Sequence, residues 1–419
     1  MTHHDFSALH AAMRAQVDQQ FLPGVSTSLL HGRDVVDRFC YGFADREAGT
    51  ALREDHIFRV FSNTKLVTSC AVMLLLEDGR IKLDDPIEAY IPELGGLQVL
   101  RPGATRIDDT EPAKSSITIR HLMTHTSGLS YGIFDPGTLQ FAAYNQRGVA
   151  NRTQPLADMM TALVGLPLSF QPGTQWEYSV ATDVLARLVE IVCGKSFGEV
   201  LRHRIFEPLG MVDTDFWVPE AKRERLCAPY MGVELTDPTK PGLVRADDKP
   251  YPGAYTSKMP RESGGGGLVS TLGDTVRLLQ SLIPGGPTFA RGRDPRAHVA
   301  KPVAGRPVRS ISQCASDGRP RLRARFFGRD RSGDRQSGRS PRRGRLGWAG
   351  GNDLVDQPAH RHRRGADDAT LVRLRQSLRH RVQAAGLSGT GVLIAHMRDN
   401  RADRRSTLAV APGSLDALR

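Results

Sequence analysis

Glutamate is missing from the last 129 residues of this 419-residue chain, and so, but for Lys301, is lysine. The same stretch holds 28 arginines and 11 aspartates, a net charge of +18, whereas residues 1–290 carry −6. The overall charge of +12 is thus an average over two unlike parts. The tail is also short of aromatics, with Phe326, Phe327 and Trp348 alone to stack on bases, which argues against a nucleic-acid arm. No apolar run reaches the roughly 18–20 residues that a membrane span requires. The opening MTHHDFSALH lacks the charged-then-apolar order of a secretory leader. Cysteine is scarce, and Cys40, Cys70, Cys193, Cys227 and Cys314 are scattered without metal-ligand spacing. That pattern predicts reduced thiols in a cytoplasmic protein. There is no internal repeat. A hydrophobic share of 39% and a charged share of 24% fit a globular chain long enough for a large core.

In residues 1–290 the first pattern is a hairpin. Gly24–Leu30 and Val35–Phe43 flank the turn residues His31-Gly32, one strand buried and one amphipathic. Ser62–Asp78 predicts a buried helix closed by Gly79, and Asp84-Asp85-Pro86 starts a new segment. A short helix is expected at Ile117–Thr124 and a loop at Tyr131–Gly137. Val180–Cys193 is the cleanest amphipathic helix, with Gly194 after it. Phe197–Phe206 predicts another, stopped by Pro208-Leu209-Gly210. Residues 227–262 read as a long excursion or lid, Gly264–Gly267 as a flexible run, and Thr271–Ile283 as a helix. Strands first and then mostly helices predict an α/β (α+β) layer with an inserted helical region.

Chemistry concentrates at Ser62-Asn63-Thr64-Lys65. Ser62 and Lys65, at i and i+3, share one face at the start of an apolar helix. Its free N–H groups and dipole favour the negative charge of an attacking serine oxygen and of an oxyanion. A lysine desolvated beside the hydroxyl can serve as its base. A serine cap with a solvated lysine would look the same. Tyr178, on a loop just before the amphipathic helix, is a second candidate, able to relay a proton to a leaving group. In isolation such a tyrosine is more often a packed aromatic.

These residues lie in five segments: FRVFSNTKLVTSCAVMLLLEDGRIKLDDPI, ITIRHLMTHTSGL, QPGTQWEYSVATDVLARLVE, RIFEPLGMVDTDF and SGGGGLVSTLGDTVRLL. In this order they resemble the serine β-lactamase-like superfamily of class C β-lactamases, penicillin-binding proteins and related esterases, over about residues 20–285. The resemblance implies an antiparallel sheet flanked by helices with a helical region, and an acyl-enzyme hydrolase without metal or organic cofactor. Ser62 would be the nucleophile, and Lys65 and Tyr178 would share the acid/base work. Its lactamases and peptidases usually place Asn two residues after the tyrosine. Here that position is Val180, which has no hydrogen-bonding side chain. The chain therefore resembles the esterase branch, the family VIII carboxylesterases, with a small-molecule ester or β-lactam-like substrate. A class C-type β-lactamase, a D-aminopeptidase, and an inactive penicillin-binding-like module or basic-tailed nucleic-acid binder are the alternatives.

Two other constellations carry less. Gly128-Leu129-Ser130-Tyr131-Gly132 fits a G-x-S-x-G elbow, but that elbow needs a strand before it and a helix after it, whereas Arg120–His125 reads as helix and Asp135-Pro136-Gly137 follows too soon. His121 and His125 are spaced like a metal pair without a third ligand. In the resemblance His125-Thr126-Ser127-Gly128 is a turn beneath the active site.

The division expected is a catalytic unit at 1–290 and an Arg-rich segment at 291–419. An Arg:Lys ratio of 28:1 without glutamate fits a shifted reading frame in a GC-rich gene. Synonymous codons for Arg321–Pro341 and Gly351–Val372, read one base later, give strand-like segments separated by turns. The expectation is a shift near residues 288–300, reversed before Trp348 and recurring near Gly351, that disrupts the strands completing the sheet. The resemblance places Trp348-Ala349-Gly350 in a substrate-contacting strand motif. It implies an oxyanion hole formed by the backbone N–H groups of Ser62 and Gly351.

Overall fold

The computed structural model describes residues 5–133, 135–234, 240–248, 250 and 252–283, with the backbone of two later strands, Thr390–Met397 and Ala409–Val410. A strand buried along almost its whole length must have neighbours on both edges and cover on both faces. Gly24–His31 (β1) is such a strand. It follows helix α1 (Ser7–Asp18) and turns into β2 (Asp34–Asp45), which pairs with β3 (Thr50–Ala51). The sheet order is β11-β10-β1-β2-β3, where β10 is Thr390–Met397 and β11 is Ala409–Val410. Every pairing in it is antiparallel except β1 with β10, which run parallel. The expected antiparallel sheet with helices is present, and this one parallel pair is added to it. A parallel pair needs a long crossover, and here nearly the whole chain lies between its two strands.

Period-two alternation sends Val25 and Leu29 to one face of β1 and Leu30 to the other. The first face packs on Leu9 and Met13 of α1. Leu30 packs with Leu272 and Val276 of the helix Leu272–Leu282, capped by the Thr271 hydroxyl. Helix α1 has no counterpart in the sequence reading.

After β4 (Phe58–Arg59) comes α2 (Thr64–Glu77), uncharged between Lys65 and Glu77 and buried on most sides. A two-stranded ribbon, β5 (Gln98–Leu100) and β6 (Thr110–Pro112), precedes α3 (Ile119–Met123), which starts on a Thr118–His121 capping box. Then follow α4 (Leu139–Gln146), α5 (Leu156–Leu163) and α6 (Ala181–Cys193), closed by Gly194 in the left-handed region. Leu185, Leu188 and Val189 of α6 join Val67, Ala71 and Leu75 of α2 in the largest core. This packing brings the ends carrying Ser62 and Tyr178 together.

Helix α7 (Phe197–Leu201) leads to the expected stop at Pro208-Leu209-Gly210. It passes through a π turn at Arg202–Phe206 into α8 (Glu207–Leu209) and ends at left-handed Gly210. A wider turn relieves proline's missing N–H and ring clash, so the helix continues. The excursion at 227–262 contains a ribbon, β7 (Tyr230–Gly232) with β8 (Leu243–Arg245). Strand β9 (Val269–Ser270) pairs with β4, and Leu272–Leu282 is α9. No helix among the described residues is long and apolar enough to cross a membrane. Among the described residues Cys40, Cys70, Cys193 and Cys227 form no disulfide, and Cys314 lies outside the described residues.

Candidate active site

Ser62 does not open α2. It lies in a 3-10 turn, Phe61–Asn63, ahead of the helix, and carries no cap bond. The reason is Phe61, whose φ of 37° is a left-handed conformation costly for a bulky side chain. Its ring stands edge-on to Tyr255 at 6.1 Å, a contact that holds the kink. Lys65 follows in the first turn of α2, and its Nζ donates to Ser62 Oγ at 3.2 Å and to the Gly265 carbonyl at 2.6 Å. Tyr178 Oη lies 2.7 Å from the same Ser62 Oγ. The three residues singled out by the sequence therefore meet at one hydroxyl.

Tyr178 is wedged among rings. Tyr131 stacks on it at 5.7 Å, and His125 and Trp176 lie at 5.0 and 6.4 Å. Trp176 is 65% exposed, which makes it the open rim of the group. His125 sits at φ 55° in a turn, and its Nδ1 accepts from the Ser179 N–H at 3.3 Å. Burial and, after it, the charge of Lys65 hold this imidazole down at about 4, so it is neutral at pH 7. Beside it, burial raises the Glu177 carboxyl above the usual range, against the lowering influence of Ser130 and Ser169. Ser130 is buried, and its backbone N–H donates to Tyr144 Oη at 3.0 Å. It follows helix α3 and a turn and precedes a loop, so it is not a nucleophile elbow. His121 is spent on capping α3, and no metal-binding cluster occurs among the described residues.

Val180 stands apart from its neighbours. It is 4% exposed and belongs to the largest core. Its N–H donates to the Ser130 carbonyl at 3.2 Å.

The glycine run Gly264–Gly267 is not flexible. All four residues are buried. A Cβ on Gly264 would come within 2.5 Å of the Thr182 carbonyl, and one on Gly265 within 2.6 Å of Asp183 Oδ2. Glycine is required here for close approach, not for mobility. Gly265 and Asp183 escaped the sequence reading. Four glycines running into the buried stretch Leu268–Ser270 were the available sign. Trp348, Gly350 and Gly351 lie outside the described residues.

Residues 9–351 match the family model described as Beta-lactamase, a match that ends on Gly351. Esterase EstB of Burkholderia gladioli is 33% identical over 301 residues, covering 66% of this chain and 71% of that protein. The lovastatin esterase of Penicillium rubens is 31% identical over 281 residues, covering 64% and 68%. Among solved structures, EstCE1, a hydrolase with promiscuous acyltransferase activity, is similar in fold. It has a TM-score of 0.54 at 24% identity and covers 66% of this chain and 71% of its own.

Proposed function

The chain belongs to the Beta-lactamase family, and we propose that within it this protein is a carboxylesterase that acts through an acyl-Ser62 intermediate. One observation carries the reading. Ser62 Oγ lies within hydrogen-bond reach of both a phenol and an amine, Tyr178 Oη at 2.7 Å and Lys65 Nζ at 3.2 Å. A hydroxyl so placed can lose its proton as it attacks. Ser62 Oγ bonds to the ester carbonyl carbon while its proton passes to the Tyr178–Lys65 pair. The tetrahedral oxyanion collapses, the C–O bond to the alcohol breaks, and the same pair returns the proton to the departing oxygen. Water then repeats the sequence on the acyl-enzyme and releases the acid. Residues 1–290 form the catalytic unit. The segment Trp348–Gly351 is assigned the second oxyanion donor.

Ester rather than lactam preference rests on kinship, since the apolar Val180, two positions past Tyr178, is packed in the core and offers no anchor for a substrate amide. Kinship with EstB and the lovastatin esterase supports the same branch. The test is turnover of short-chain p-nitrophenyl esters by the full chain. Hydrolysis abolished in Ser62→Ala is the expected result. Nitrocefin turned over faster than the esters would overturn the branch.

A further inference from the structure

We propose that Asp183 is a positioning residue for Lys65, acting through the Ser263–Gly267 turn; this rests on the reading of Ser62 as nucleophile. Asp183 lies in the first turn of α6, five residues after Tyr178, and is 4% exposed. A buried carboxylate is costly unless it is hydrogen-bonded and faced by opposite charge. The buried Arg261 is close enough to interact with the charge of Asp183, while its own hydrogen bonds go to the Gln154 and Val149 carbonyls. The hydrogen bonds of Asp183 go to another segment. Oδ1 accepts from Ser263 Oγ at 2.6 Å and from the Gly265 N–H at 3.3 Å.

The carbonyl of the same residue, in the next peptide, is where Lys65 is held, because the Gly265 C=O accepts its Nζ at 2.6 Å. The rest of the turn is fastened as tightly. Thr68 Oγ1 donates to the Gly264 carbonyl at 2.8 Å, Tyr255 Oη to that of Gly266 at 2.8 Å, and the Leu268 N–H to Thr64 Oγ1 at 3.1 Å. The turn is therefore bound to α2 through Thr64, Lys65 and Thr68, and to α6 through Asp183. An amine on a four-carbon stem has no preferred direction of its own. A fixed carbonyl supplies one, and with it the angle at which Nζ meets Ser62 Oγ. Misplacing a catalytic group slightly is expensive in rate.

The test uses the full chain and two readouts. One is the rate at which a fluorophosphonate labels Ser62, and the other is kcat and KM for p-nitrophenyl butyrate, with Tm measured alongside. Asp183→Ala is expected to lower the labelling rate and kcat about 10²-fold with KM nearly unchanged. Asp183→Asn keeps an acceptor oxygen and should recover to within about tenfold of the native rate. An Ala variant that labels at the native rate, or an Asn variant as slow as Ala, overturns the proposal. Should Asp183→Ala not fold, Ser263→Ala removes one of the two donors. It is expected to slow labelling severalfold at unchanged Tm, and a native rate there overturns the proposal equally. Ser62→Ala separates the two readings. Labelling that survives in it removes the nucleophile, whereas labelling lost in it but native in Asp183→Ala removes only the role of Asp183.

Discussion

Lys65 stands over the face of Tyr178, its Nζ 4.5 Å from the ring centroid. A cation in this position is attracted to the ring's negative face. With Tyr131 stacked on it as well, the phenol has little freedom to turn, and its hydroxyl stays on Ser62. The geometry couples the amine and the phenol before any substrate arrives.

Removing only the hydroxyl isolates its contribution. Tyr178→Phe keeps the ring contacts and should leave Tm nearly unchanged. Ester turnover should fall by about 10²–10³-fold, the usual share of a positioned acid or base. Steady-state kinetics on p-nitrophenyl butyrate decides the matter. Native kcat in the Phe variant would make the hydroxyl a bystander.

Two glycines should respond differently to alanine. At Gly264 the new methyl meets the Thr182 carbonyl and the Ala186 side chain at 2.5 and 2.7 Å. Overpacking of this kind costs about 1–3 kcal/mol and displaces its neighbours. Gly194 has open space around it but φ 66°, so alanine there costs about 1 kcal/mol from backbone strain alone. Urea unfolding gives both numbers. Activity should fall only in the first variant, because only that turn reaches Lys65.

Acid should destabilise the fold through His125. Unfolded, this imidazole takes a proton near 6.5; folded, burial and Lys65 delay that to about 4. Between these values the unfolded chain binds more protons, so stability falls as pH drops from 6.5 towards 4. The loss amounts to roughly 3 kcal/mol at most. His125→Asn, which tolerates the positive φ, should flatten this part of the curve. The check is the urea midpoint of both proteins at several pH values, and an equal slope in both would exclude His125 as the source.

Restoring asparagine at position 180 should not create a lactamase. Val180 is packed in the largest core, so Val180→Asn buries an amide at a cost of about 1–3 kcal/mol. Nitrocefin hydrolysis should stay undetectable while Tm falls. A gain of lactam turnover would show that the side chain reaches substrate after all.

The family was legible from five segments because each carries chemistry or a turn that composition alone does not produce. Helix α6 was legible because Val184, Leu185, Leu188, Val189 and Val192 recur at helical spacing before Gly194. Helix α1 was not, since SALHAAMRAQVD offers only Leu9 and Met13 as a buried stripe. Its helicity depends on the sheet it covers. The start of α2 is not legible because Phe61 adopts a left-handed φ and packs against Tyr255, distant in sequence. Gly264–Gly267 was misread because a glycine run looks alike whether its residues need freedom or lack room. Asp183 passed as one polar residue in a helix, for its partners Ser263 and Gly265 lie about eighty residues away.

The pairing of β1 bears on how the molecule assembles. Residues 24–31 gain β2 at once through a tight hairpin, but their other edge is matched by Thr390–Met397. During synthesis the ribosome must therefore deliver nearly the entire polypeptide before that edge is covered. Until then a strand with a buried, apolar character presents unsatisfied N–H and C=O groups, a template for pairing with another nascent chain. Non-local closure of this kind is slow. Yield on expression should accordingly depend on chaperone supply and temperature more than on the local stability of the helices around Ser62.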